Sequence, residues 1–241
     1  FSIFVIFLLI ISCKAQEVKV NSVNTKPKLV VGIVVDQMRY DYLTRFESKF
    51  GDNGFMRLVS DGFNFKNHHF NYVPTYTGPG HASVFTGTSP MNHGIISNYW
   101  YDKFTDESVY CASDTSVSAV GVSTEKEKMS PRRMKTTTVA DQLKLHTQNR
   151  SKVIGISLKD RGAILPAGHS ANAAYWFRGK EDGKFITSTY YSNKLPKWVN
   201  EFNANTSSYL KTWNTVLPID EYFESGSDNT PFEESFKGKE L

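Results

Sequence analysis

The chain has 241 residues, 39% of them apolar, 22% charged and 14% aromatic, the profile of a soluble globular domain with a substantial core. Its net charge of +4 is small and scattered, and no long Lys/Arg run appears, which argues against a nucleic-acid partner. No internal repeat is visible.

Phe1 to Ile11 is almost wholly apolar and is followed by Ser12-Cys13-Lys14-Ala15-Gln16. The run is too short for a transmembrane helix, which needs about 20 residues. It fits the apolar region of a signal peptide clipped at its start. Ile10-Ile11-Ser12-Cys13 reads as a lipobox, with a lipid on Cys13. Cys13-Lys14-Ala15 reads instead as a cleavage site with a mature start at Gln16. Both readings imply export, to the periplasm or beyond, and a membrane contact is expected only if Cys13 is lipidated. With Cys13 removed or lipidated, Cys111 has no disulfide partner and reads as a structural thiol.

Residues 16–28 are a polar lead-in. Leu29-Val30-Val31-Gly32-Ile33-Val34-Val35 predicts a strand buried on both faces of a parallel sheet, with Asp36 at its end. Open α/β sheets bind ligands at that edge, so Asp36 is a candidate for metal or phosphate chemistry; alternatively it caps the next helix. Helices are expected over 38–50 and 54–60, and a half-buried strand over 63–72 that would turn His68 and His69 to opposite sides.

Thr75-Tyr76-Thr77-Gly78-Pro79-Gly80-His81-Ala82-Ser83-Val84-Phe85-Thr86-Gly87 predicts a loop entering a short helix, with Pro79 at the first helical position and Gly87 ending it. Thr77 then lies at or just before a helix N-terminus, where unpaired N–H groups and the helix dipole favour phosphate. Two readings stand: a hydroxyl nucleophile activated by a base or metal, or an N-cap.

Beyond Gly87, Asn98 is a candidate amide donor to an anion near Thr77, or a turn residue; His93 reads as a loop hydrogen-bonder. Residues 101–123 are polar with weak strand character. A helix is expected over 138–146 with Val139, Leu143 and Leu145 inward, then a second buried strand over 152–158. Lys159 and Arg161 follow it, spaced to point the same way, and suit a phosphate dianion. A hairpin over 173–190 turns at Glu181-Asp182-Gly183. Helices are expected over 196–202 and 209–216, and the segment from Pro218 is irregular.

Val35-Asp36-Gln37-Met38-Arg39, Pro74-Thr75-Tyr76-Thr77-Gly78-Pro79-Gly80-His81 and Ser157-Leu158-Lys159-Asp160-Arg161 together closely resemble the phosphate-irrepressible, zinc-dependent bacterial alkaline phosphatases with a Thr nucleophile. The resemblance implies an α/β fold with a mostly parallel central sheet and helices on both faces, here incomplete. Residues 1–15 are then signal peptide, 16–28 lead-in, and 29–241 the N-terminal part of the domain. It further implies hydrolysis of small phosphate monoesters through a phospho-threonine at a two-zinc site. Thr77 is the implied nucleophile and a zinc ligand, Asp36 ligates the same zinc, and Asn98, Lys159 and Arg161 hold the phosphoryl oxygens. The family's remaining zinc ligands come from its second half, so an N-terminal fragment inactive by itself is expected. A phosphodiesterase or nucleotide pyrophosphatase of the same superfamily, sharing the Asp and Thr, is one alternative. An inactive anion-binding module is the other. No Gly-x-Ser-x-Gly elbow or phosphate-binding loop of the Gly-x-x-x-x-Gly-Lys-Ser/Thr type occurs.

Overall fold

The computed structural model describes residues 26–179, 182–212 and 214–222. The signal-peptide reading, most of the lead-in, Glu181 of the hairpin turn and residues 223–241 lie outside the described residues. The chain divides into two units, one up to Met38 and one from Arg39 onward.

In the first unit the run from Leu29 to Val35 forms no strand, and its side chains are exposed, Leu29 at 78% and Ile33 at 79%. A strand buried on both faces needs a ladder and a cover, and among the described strands none pairs with it. The run ends in a turn closed by the Met38 N–H donating to the Val35 carbonyl at 3.4 Å, with Gln37 at φ +61°. Asp36 is therefore an exposed turn residue rather than a strand end.

The second unit opens with α1 (Tyr42–Arg45), a 3₁₀ turn (Glu47–Lys49) and α2 (Phe55–Asp61). The single helix expected over 38–50 is interrupted at Phe46, whose φ of −106° and ψ of 14° are not helical. The strand expected over 63–72 is also absent. Its alternating aromatics contact one another, Phe63 with Phe65 at 4.7 Å and Phe70 with Tyr72 at 5.5 Å, and Phe63 and Phe65 stay exposed. His68 and His69 are thus not divided between two sheet faces.

α3 (Thr77–Thr86) forms as expected and ends at Gly87, whose φ of +69° is the left-handed cap that glycine adopts without strain. Tyr76 is the N-cap, with no side-chain cap bond, so Thr77 is the first helical residue and not a cap; Pro79 comes third. α4 (Pro90–His93) makes one turn where a loop was expected. β1 (Tyr99–Asp102) and β2 (Glu107–Tyr110) pair antiparallel, with Tyr99 opposite Tyr110.

β3 (Ala119–Val120), β4 (Ile154–Ser157), β5 (Ala173–Arg178) and β6 (Lys184–Ser188) form a sheet in the order β3-β6-β5-β4. Only β4 and β5 are parallel, joined through α6 (Asp160–Ala167); β5–β6 and β3–β6 are antiparallel. The mostly parallel sheet is thus corrected, among the described residues, to a small mixed one. β4 lies at its edge, with Ile154 and Ile156 each 57% exposed, so the second buried-strand expectation fails as well.

Helices do cover both faces of this sheet. Alternate residues of a strand point to opposite sides. Ala174 and Trp176 join Ala82, Ile164, Leu165 and Ile186 in one core, toward α3 and α6. Ala173 and Tyr175 join Val199 of α7 (Lys197–Ala204) in another. α5 (Val139–His146) begins at Thr138 as expected, but its burial is inverted. Val139, Leu143 and Leu145 are exposed and Asp141 and Lys144 are buried, because those two supply hydrogen bonds to neighbouring loops. Among the described residues no α-helix forms over 209–216, and 3₁₀ turns stand on either side, at Thr206–Tyr209 and Ile219–Glu221.

Candidate active site

The start of α3 lies beside β1 and β2. Gly78 follows Thr77 and exposes one of the N–H groups that a helix N-terminus leaves without an intrahelical partner. Asn98 takes it: the Gly78 N–H donates to Asn98 Oδ1 at 2.7 Å. The fit at Gly78 is tight: a Cβ would stand 3.0 Å from that oxygen and 3.3 Å from Cys111 Sγ. With Oδ1 so engaged, the Asn98 amide NH₂ is the group left to donate elsewhere. The Cys111 N–H donates to the Asn98 carbonyl at 2.9 Å, which fixes its backbone too. Cys111 is fully buried, and burial reinforced by the charge of Asp160 pushes its thiol up to about 12, the inert structural thiol read from sequence.

Residue 110 continues the connection. Arg161 Nη1 donates to the Tyr110 hydroxyl at 3.0 Å, and that hydroxyl donates to Asp160 Oδ1 at 2.7 Å. Burial, with the Asp160 charge, holds Tyr110 far above an ordinary phenol, so it stays protonated. Lys159 is the exposed N-cap of α6, and Asp160 and Arg161 are its first two residues. All three line a cleft of about 440 Å³ with Tyr99, Tyr110 and Trp176. Lys159 and Arg161 thus share one cleft, but at a helix start with Asp160 between them also lining it, so the i, i+2 alternation of an extended chain is not what brings them together. Two glycines set α6 against β4: a Cβ on Gly155 would lie 2.2 Å from the Ala163 carbonyl oxygen, and one on Gly162 2.6 Å from Ser157 Oγ.

A second network steadies α3. The Ile95 N–H donates to His93 Nδ1 at 3.1 Å, so Nε2 carries the proton and donates to Ser83 Oγ at 2.9 Å. Ser83 bonds the Tyr72 hydroxyl at 2.8 Å, and Tyr72 donates to the Pro79 carbonyl at 3.0 Å. His93 is fully buried and burial pulls its pKa down to about 4, which keeps it neutral. It is the hydrogen-bonder expected, though at a helix end rather than in a loop.

The second unit thus links the start of α3 at Thr77, Asn98 and Arg161 through Tyr110 and Cys111. Asp36 belongs to the first unit. Tyr110 was missed in the sequence: it bonds a residue 50 positions away, and nothing local marks it. Toward a zinc ion the resemblance offers Asp36 and Thr77. Among the described residues no group of three or more His, Cys, Asp and Glu side chains is gathered to hold a metal ion. Catalytic zinc normally takes three protein ligands, and two donors fall short of that set.

The chain superposes with a TM-score of 0.82 on the crystal structure of wild-type alkaline phosphatase PafA, at 52% identity, covering 87% of this chain and 41% of that one. A variant of that enzyme, with a Thr replaced by Ser and an Asn, a Lys and an Arg each replaced by Ala, gives the same TM-score at 51% identity. The fold is therefore α/β of the alkaline-phosphatase type. Residues 30–239 match the type I phosphodiesterase/nucleotide pyrophosphatase family, and the chain belongs to it. It is similar to alkaline phosphatase PafA of Elizabethkingia meningoseptica, 52% identical over 94% of this chain and 42% of that protein. It is also similar to alkaline phosphatase PhoV of Synechococcus elongatus, 50% identical over 88% of this chain and 39% of that one. The chain spans about two fifths of the length of these relatives.

Proposed function

We propose that the protein hydrolyses phosphate monoesters as an alkaline phosphatase, with Thr77 as nucleophile and Asn98, Lys159 and Arg161 binding the phosphoryl oxygens. The Thr77 oxygen attacks phosphorus as its proton leaves to solvent, and the bond to the ester oxygen breaks. The departing alkoxide takes up a proton, and water then cleaves the phospho-threonine to release inorganic phosphate. The helix N-terminus at Thr77 offers a partial positive charge to the developing anion. The guanidinium and the ammonium counter the two charges of a monoester, the main work left to a protein in phosphoryl transfer.

The observation that carries this reading is the linkage of the Thr77 helix start, Asn98 and Arg161 through one strand end. The similarity to two alkaline phosphatases supports it, as do the four residue types replaced in the solved PafA variant. They are Thr, Asn, Lys and Arg, in the same chain order as Thr77, Asn98, Lys159 and Arg161. By the resemblance the enzyme takes zinc and Asp36 is one of its ligands. The apolar stretch at residues 1–11 supports an exported protein.

In the intact protein, Thr77→Ala is expected to lower turnover of an aryl phosphate by about 10³-fold or more. Unchanged hydrolysis would remove Thr77 from the chemistry. A second reading, diester hydrolysis, follows from the name of the matched family. A diester carries one charge fewer at phosphorus, which the Lys159 and Arg161 pair suits less well. Faster turnover of a bis-aryl diester than of the aryl phosphate would establish that reading instead.

A further inference from the structure

The proposed role of Arg161 needs its guanidinium held in one place, and one side chain outside the proposed contact set does this. We infer that Tyr110 is the positioning residue of the phosphoryl site: its hydroxyl clamps Arg161 against Asp160, and its strand end aligns Arg161 with Asn98 and the Thr77 helix. This rests on the phosphoryl-binding reading of Arg161.

A phenol hydroxyl has one hydrogen to donate and lone pairs that accept. Asp160 Oδ1 receives that hydrogen at 2.7 Å, so the oxygen faces Arg161 Nη1, 3.0 Å away, as an acceptor. The direction is set by chemistry, since Arg161 can only donate and a carboxylate oxygen accepts. The ring has little freedom to leave this arrangement. It packs on its cross-strand partner Tyr99 with centroids 4.7 Å apart, and both residues line the cleft. Burial of the phenol excludes an ionised form at working pH, which would lose the donated hydrogen. Arg161 Nε is buried without a hydrogen-bond partner, so the observed anchoring of the guanidinium runs through Nη1.

The next residue extends the alignment. The Cys111 N–H holds the Asn98 carbonyl, and Asn98 Oδ1 holds the N–H that follows Thr77. The last residue of β2 and the one after it therefore fix Arg161 from one side and Asn98 from the other. Tyr110 needs no contact with substrate to matter: it sets where two phosphate donors stand relative to the helix start.

The test is binding of inorganic phosphate to the intact protein, by calorimetry, for Tyr110→Phe, Arg161→Ala and the double variant, with the thermal midpoint measured in each. Tyr110→Phe is expected to weaken phosphate binding roughly 10- to 100-fold, the range for loss of a hydrogen bond to a charged group. The same substitution is expected to have little further effect once Arg161→Ala is present. Asp160→Ala removes the acceptor that orients the hydroxyl and is expected to reproduce the weakening, which keeps the test readable if Tyr110→Phe folds poorly. Unchanged affinity in a folded Tyr110→Phe, or an equal loss with and without Arg161, overturns the inference. Failure of the functional reading shows elsewhere, as turnover retained by Thr77→Ala, and leaves the phosphate comparison intact.

Discussion

Cys111 and His93 are both wholly buried, and burial moves their pKa values in opposite directions while keeping both uncharged. The Cys111 thiol, pushed up to about 12, holds almost no thiolate at neutral pH. Iodoacetamide is therefore expected to leave Cys111 unmodified in the folded protein and to label it after denaturation, as read by peptide mapping. Labelling in the native state would contradict the packing at Gly78. His93 is neutral because burial holds it near 4, against an ordinary 6.5. Between those values the unfolded chain binds more protons than the folded one, so stability is lost as pH falls through that window. The slope from one such group is at most about 1.4 kcal/mol per pH unit. Urea titrations between pH 7 and 4 are expected to show it, and a His93→Gln variant to lack it.

Helix and strand ends carry most of what positions the site. Thr138 caps α5 in a reciprocal pair: the Asp141 N–H donates to the Thr138 hydroxyl oxygen, and the Thr138 N–H to the Asp141 carboxylate. Thr138→Ala should cost about 1 kcal/mol or more, measured by urea denaturation. Gly155→Ala should cost about 1–3 kcal/mol, because its Cβ meets the backbone of α6, which must shift and carry Asp160 and Arg161 with it. A loss of phosphate affinity beyond the loss of stability is expected from that variant.

The sequence was legible at this scale where its signals were local. The Gly87 cap, the start of α5, the hairpin of β5 and β6, and the helix at 197–204 follow from turn chemistry and periodicity. Elements whose identity depends on distant partners were not legible. Leu29 to Val35 has strand composition without a ladder among the described residues. α5 presents its polar side inward because Lys144 Nζ donates to the Ser151 carbonyl and Asn172 Oδ1, acceptors in other segments. Thr77, Asn98, Lys159 and Arg161 could be nominated from strand ends and a helix start. Tyr110 could not, for its two bonds reach across 50 and 51 residues.

At the scale of the whole molecule, the buried Asp141 and the half-buried His169 bear on the pH range of stability. Burial opposes the charge on Asp141, but hydrogen bonds from His169 and Ser170 and from the backbone outweigh it and hold the carboxyl below its usual 3.8. That contribution is present above 3.8 and is lost as pH falls toward the folded value. His169 moves the other way, raised above 6.5 by its bond to Asp141. Its share is complete below 6.5 and is lost as pH rises through the folded value. An Asp141→Asn variant should therefore lose most stability between pH 3.8 and 6.5, where both shares are complete, and less on either side of that window, as read by urea denaturation across pH. Exposed apolar side chains form a second whole-molecule feature: Val139, Leu143 and Leu145 on α5, and Ile154, Ile156 and Leu158 on and after β4. Such surface commonly marks a site of further contact.

In the proposed reaction phosphate passes through Thr77. Acid-quenching the intact protein during turnover of a ³²P-labelled aryl phosphate, then mapping the labelled peptide, tests it most directly. The expected result is one labelled peptide with phosphate on Thr77, absent from Thr77→Ala. Label on another residue, or rapid turnover by Thr77→Ala with no covalent label, would contradict it.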